Sequence, residues 1–175
     1  MHSICHYPGG ENERFFRPLI DCIGPVSKGP HGKPYFTGQG LKEIFFSLSY
    51  SQRDEVLCLS DSEVGVDCES TTARAEFEKR CKSLAARWFT KDEQAYVEYG
   101  GADYCPLTPD ADEAVQRFFI VWTRKEAYMK YTGNGFSEGF RSFSVFDLPE
   151  VDFITGRLKD APHIIYSVCA GSGKI

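Results

Sequence analysis

Asp67 and Glu69 stand two residues apart in the run Val64-Gly65-Val66-Asp67-Cys68-Glu69, and Glu126 follows Lys125 directly and precedes Lys130 by one helical turn. Side chains alternate along a strand, so Asp67 and Glu69 project from the same face. Two carboxylates held together repel each other, and a divalent cation is the usual way to neutralise them. Mg²⁺ suits this arrangement, because it takes a few carboxylates and leaves positions for waters and substrate phosphates. Taken alone, the pair also suits a solvated acidic strand face.

Glu126 bears on that choice. At about 100° per residue it falls within the apolar stripe of Val115, Phe119, Trp122 and Met129. A carboxylate there faces the core, where an unpaired charge costs several kcal/mol or takes up a proton. A metal shared with Asp67 and Glu69 would compensate it; so would an ion pair with Lys130 or a distant arginine. Lys125 and Lys130 flank the stripe on opposite edges. Beside a metal they would hold phosphate oxygens as point charges, and otherwise they are surface lysines covering apolar area.

The elements that must carry these residues follow from periodicity. Residues 44–50 and 55–60 read as strands joined by the polar turn Ser51-Gln52-Arg53-Asp54, and 63–69 reads as a strongly alternating strand. Residues 74–89 place Phe77, Cys81, Leu84, Ala85, Trp88 and Phe89 at helical spacing, and Thr90 with Glu93 forms a capping box for a further helix. The longest helix is expected from about Asp112 to Thr132, stopped by Gly133. Strands are expected at 141–147, 152–158 and 163–169. Residues 1–40, rich in Gly and Pro, are expected to be mostly loop, as are 100–111. The order strands, helices, strands predicts an α+β fold rather than a doubly wound parallel sheet.

The chain has 175 residues, enough for one domain or two small lobes around a shared core. Its 42% hydrophobic and 14% aromatic content marks a packed protein, and its formal charge of −5 provides no overall cationic field for nucleic acid. Seven cysteines are an odd number and contain no C-x-x-C, and the four histidines form no zinc-ligand spacing with them. Reduced, mostly packed cysteines in a cytoplasmic protein are expected. The N-terminal run, broken by Cys5-His6-Tyr7-Pro8-Gly9-Gly10, is not expected to act as a signal peptide, and no apolar run is long enough for a membrane span.

Val64-Gly65-Val66-Asp67-Cys68-Glu69 followed by Trp122-Thr123-Arg124-Lys125-Glu126-Ala127-Tyr128-Met129-Lys130 resembles the two-part signature of 4′-phosphopantetheinyl transferases. Four further segments resemble the surfactin-synthetase-associated (Sfp-like) branch: Gly32-Lys33-Pro34-Tyr35-Phe36, Phe46-Ser47-Leu48-Ser49-Tyr50-Ser51, Trp88-Phe89-Thr90-Lys91-Asp92-Glu93 and Phe140-Arg141-Ser142-Phe143-Ser144-Val145. The resemblance covers roughly residues 30–170. It implies an antiparallel sheet packed on a long helix, with residues 61–175 as the catalytic domain and 1–60 as a shortened N-terminal lobe.

The resemblance also implies a reaction: the 4′-phosphopantetheine arm of coenzyme A passes to a serine of an acyl or peptidyl carrier protein, and 3′,5′-ADP leaves. Mg²⁺ would be held by Asp67, Glu69 and Glu126, with Lys130 offsetting phosphate charge and Glu93 as general base; Thr90-x-x-Glu93 is equally a helix cap. Lys33, Ser49, Tyr50, Lys125 and Lys130 would bind coenzyme A. Tyr50 departs from the branch, which has histidine there, and a phenol offers a phosphate one neutral hydrogen bond. Arg14, Arg17 and Lys28 have no evident counterpart in the longer lobe. An acidic carrier would meet the basic cluster of Arg74, Lys79, Arg80, Lys82, Arg87 and Lys91, which also reads as a solvated face balanced by Glu76 and Glu78. The rival readings are a non-catalytic binder of coenzyme A or a carrier, and a different Mg²⁺-dependent phosphoryl-transfer enzyme.

Overall fold

The computed structural model describes residues 2–8, 16–72, 75–101, 112–135 and 139–174. In chain order its elements are β1 (His2–Pro8), α1 (Phe16–Ile23), β2 (Val26–Lys28), β3 (Pro34–Phe36), β4 (Phe45–Ser51), β5 (Asp54–Ser60), β6 (Val64–Ser70), α2 (Ala75–Trp88), α3 (Lys91–Tyr99), α4 (Glu113–Thr132), β7 (Val151–Arg157) and β8 (Ile164–Gly171). One sheet has the order β1-β5-β4, a second β6-β8-β7, and β2-β3 is a separate ribbon. Every pairing is antiparallel, which gives the expected α+β fold with a long helix against antiparallel sheet.

β5 explains how the first sheet is held. Val56 and Cys58 turn one way, into an apolar cluster with Val64, Val66 and Cys68 of β6 and Ile164 and Val168 of β8. Leu57 turns the other way, into a cluster with Phe16 and Ile20 of α1, Phe36 of β3 and Phe46 of β4. Both faces are covered, so the strand reads as a nearly continuous apolar run.

The largest cluster lies between α2, α3 and α4: Cys81, Ala85, Phe89, Val97, Val115, Phe118, Phe119 and Val121 are buried there with Val145 and Ile165. α4 begins on Asp112, whose Oδ1 accepts from Val115 N at 3.0 Å, and stops at Gly133, which adopts φ 70° and donates its N–H to Met129 O. The Thr90/Glu93 capping box is present at the start of α3.

Two local expectations are corrected. The described residues within 1–40 are not mostly loop. β1 pairs along its whole length with β5, from His2↔Ser60 to Pro8↔Asp54, and α1 accommodates Pro18 in its first turn, where a proline removes no helical hydrogen bond. Residues 141–147 form turns rather than a strand. Ser142 N and Asp147 N close turns on Gly139 O and Ser144 O, and side chains take further backbone groups: Lys125 Nζ donates to Phe140 O and Phe143 O, and Glu93 Oε1 accepts from Val145 N. Of the residues expected to loop at 100–111, only 100–101 are among those described.

Candidate functional site

Gly65 sets the geometry of the site. A Cβ built on it would lie 2.0 Å from Ala127 O and 2.5 Å from Tyr131 N, so the β6 backbone rests directly on α4. Asp67 and Glu69 leave β6 on the same side as Gly65 and are thereby brought toward Glu126 and Lys130 of α4.

Asp67 is buried. Its Oδ1 accepts from Lys130 Nζ at 2.8 Å and from Ser49 Oγ at 2.8 Å, and its Oδ2 is buried with no hydrogen-bond partner among the described residues. Burial raises its pKa and outweighs the opposing pull of Lys130. Glu69 is half-buried and accepts from Ser51 Oγ at 3.0 Å; burial, then the Asp67 charge, raises its pKa. Glu126 is pushed up to about 7, first by burial and then by Asp67, with Glu69 adding to the effect and Lys130 opposing it. Lys130 thus pairs with Asp67 rather than with Glu126.

Three carboxylates therefore share one lysine, and one buried carboxylate oxygen is unsatisfied. In charge and donor type this fits a hard divalent cation. As the side chains stand, no group of three His, Cys, Asp or Glu among the described residues is close enough together to hold a metal ion.

Glu126 and Lys130 line a cavity of about 420 Å³ together with Arg17, Lys28, His31, Lys33 and Tyr50. Tyr50 is exposed at its rim. Lys33 Nζ donates to Tyr131 O at 2.8 Å and pairs with Glu63. Arg17, Lys28 and His31 come from α1, β2 and the turn between β2 and β3, and gather only in the fold. His31 was absent from the expected set; its place next to Gly32-Lys33-Pro34 was the available signal. Arg14 lies outside the described residues.

Lys125 and Glu93 are not brought to this cavity. Their side chains are wholly buried and paired at 2.9 Å. Lys125 Nζ spends its other two protons on Phe140 O and Phe143 O, and lies 4.2 Å from the Phe143 ring centre. Glu93 Oε2 accepts from Thr90 N and its Oε1 from Val145 N, each at 2.8 Å. The structure thus places Lys125 and Glu93, expected as a phosphate contact and a base, against each other under α2, α3 and the turns at 139–146 rather than at the cavity.

Arg80, Lys82, Arg87 and Lys91 are exposed along α2 and the start of α3. Lys82 lies 3.8 Å from Glu98, and Arg87 sits over the Trp88 ring. Arg74 and the side chains of Glu76, Glu78 and Lys79 lie outside the described residues. Burial pushes the Cys58 and Cys68 thiols up to about 12, and no disulfide joins any of the six described cysteines; Cys105 is not among the described residues. No helix among those residues is long and apolar enough to cross a membrane.

A family model described as the 4′-phosphopantetheinyl transferase superfamily matches residues 63–172, well over half of the chain. The 4′-phosphopantetheinyl transferase Sfp of Bacillus subtilis (strain 168) is 32% identical over 116 residues, 66% of this chain and 44% of the relative. The 4′-phosphopantetheinyl transferase psf-1 of Bacillus pumilus is 31% identical over 77% of this chain and 51% of the relative. The 4′-phosphopantetheinyl transferase AcpT of Escherichia coli (strain K12) is 33% identical over 60% of this chain and 47% of the relative. The chain thus spans about half the length of the curated relatives it matches.

Proposed function

Since the chain belongs to the 4′-phosphopantetheinyl transferase superfamily, we propose that it transfers the 4′-phosphopantetheine arm of coenzyme A to a serine hydroxyl of an acyl or peptidyl carrier protein. The observation that carries this reading is the position of Glu126 and Lys130. They line a cavity with four further cations or potential cations, Arg17, Lys28, His31 and Lys33. A strongly anionic substrate with several phosphates suits that lining.

In this reading Asp67, Glu69 and Glu126 hold Mg²⁺, which when bound supplies charge neutralisation at the pyrophosphate. The unsatisfied Asp67 Oδ2 supports the assignment. Lys130, fixed between Asp67 and Ser49, offsets charge on the phosphate oxygens and on the departing 3′,5′-ADP. Arg17, Lys28 and Lys33 hold the remaining phosphates, with Tyr50 at the rim. The carrier serine oxygen bonds to the phosphorus that bears the pantetheine arm, the bridging P–O bond breaks, and the serine proton passes to water. Glu93 and Lys125 act as a brace for the turns at 139–146.

Residues 1–60 serve as the N-terminal lobe and 61–175 as the catalytic domain. The exposed Arg80, Lys82, Arg87 and Lys91 face an acidic carrier. The absence of disulfides among the described cysteines supports the proposal of a reducing, cytoplasmic setting. The test is direct: the protein is incubated with coenzyme A, Mg²⁺ and apo-carriers, and the carriers are weighed. Gain of one phosphopantetheine on the carrier serine, absent without coenzyme A, supports the reading. Carriers of unchanged mass overturn it.

A further inference from the structure

Ser47, Ser49 and Ser51 occupy alternate positions of β4 and are all buried. Their hydroxyls accept from the amides of Val66 (2.9 Å), Cys68 (3.3 Å) and Ser70 (2.8 Å) on β6. β6 is bonded to β8 along its other edge. Serine hydroxyls therefore stand where the carbonyls of a neighbouring strand would, and the two three-stranded sheets are joined through side chains rather than through a backbone ladder.

The same hydroxyls also have a hydrogen to give. Ser49 gives its hydrogen to Asp67 Oδ1 at 2.8 Å, and Ser51 gives its own to Glu69 Oε2 at 3.0 Å. Ser49 Oγ accepts from Lys130 Nζ at 2.9 Å as well. A hydroxyl has one donor hydrogen and two acceptor sites, so Ser49 is fully engaged. A phosphate oxygen only accepts, and it could bind Ser49 only by taking the hydrogen away from Asp67.

We infer that Ser49 and Ser51 are positioning residues for the acid pair rather than contacts for the coenzyme A phosphates. They tie the placement of Asp67 and Glu69 to the docking of the β1-β5-β4 sheet. The inference rests on the reading of Asp67 and Glu69 as metal ligands. Groups that orient ligands from behind typically contribute roughly 10–100-fold to metal affinity.

The test measures binding rather than turnover. Mn²⁺ uptake is followed by electron paramagnetic resonance without coenzyme A, and coenzyme A binding by calorimetry without metal. Ser49→Ala and Ser51→Ala are expected to weaken Mn²⁺ by roughly tenfold or more and to leave coenzyme A affinity within about twofold, a change too small to represent a lost charged contact. Ser47→Ala is the control: it removes the same kind of amide bond without touching a carboxylate, and should leave Mn²⁺ affinity near wild type. If Ser49→Ala does not fold, Ser51→Ala carries the same comparison. Loss of coenzyme A affinity with unchanged Mn²⁺ binding overturns the inference in favour of a phosphate contact. An equal Mn²⁺ loss in Ser47→Ala overturns it in favour of a loosened seam. A wild-type protein that takes up no Mn²⁺ overturns the metal reading itself, and this inference with it. Serine variants that bind as tightly as a metal-binding wild type overturn the positioning role alone.

Discussion

Lys125 Nζ lies 2.9 Å from Glu93 Oε1, and neither side chain is exposed to solvent. The pair joins α4 to the start of α3, and through Phe140 O, Phe143 O and Val145 N it holds the turns that follow α4. Removing one partner leaves the other charge buried and unpaired. Lys125→Met should therefore cost about 3–5 kcal/mol in urea unfolding. Glu93→Gln combined with Lys125→Met removes both charges and should recover most of that loss. If the double variant also regains transfer activity, Glu93 is a brace. A double variant that is stable but inactive would return Glu93 to the role of base.

Gly65→Ala should be costly although no unusual backbone angle is involved. The new methyl would meet Ala127 O and Tyr131 N, which are backbone atoms of α4 and cannot rotate away. A loss of about 1–3 kcal/mol or more is expected by denaturant titration, as for overpacking elsewhere. Because α4 must move off β6, transfer should fall as well. An alanine variant of wild-type stability would contradict the close approach.

Glu126→Gln removes one proposed ligand and keeps the shape. Transfer should fall at least ~100-fold, more than is typical for losing a group that merely supports a ligand. The metal-free protein should be no less stable, since a repelled, desolvated carboxylate is gone. Measuring turnover together with melting temperature distinguishes loss of a ligand from loss of the fold.

The metal-free protein should lose stability as pH rises between about 4.5 and about 7. In the folded state the pKa of Glu126 is pushed up to about 7, against 4.5 for the ordinary carboxyl of the unfolded chain. The native state therefore binds more protons than the unfolded state across that window, and raising the pH favours unfolding. Asp67 and Glu69 are shifted in the same direction. Mg²⁺ should flatten the dependence by binding the deprotonated carboxylates. Melting temperatures at pH 5 and pH 8, with and without Mg²⁺, check both signs.

Lys28→Ala should raise KM for coenzyme A about fivefold with little change in kcat, as for an exposed charge contact worth ~1 kcal/mol in ground and transition states alike. Lys28 lines the cavity with Tyr50, which offers no charge of its own. An unchanged KM would remove the β2 cation from the coenzyme A site.

The amino-acid sequence alone determined the parts of this protein governed by local periodicity and chemistry. The alternation from Val64 to Glu69 marks β6, the caps at Asp112 and Gly133 bound α4, and Thr90 with Glu93 starts α3. The positions of Asp67, Glu69 and Glu126 also made it foreseeable that their charges would act on one another, because a strand and a helix each aim particular residues at one face. What only the tertiary structure decided is which neighbours those faces meet. Lys125 and Lys130 look alike at opposite edges of a stripe, yet one is buried against Glu93 and the other stands beside Asp67. That difference depends on α3 and the turns at 139–146, which cover one flank of α4 and leave the other open. The same holds for Arg17, Lys28 and His31, which come from separate elements, and for the serines of β4, whose hydroxyls acquire a role only where the edge of β6 arrives. Distances between residues far apart in the chain are set by packing, and local sequence pattern carries no record of them.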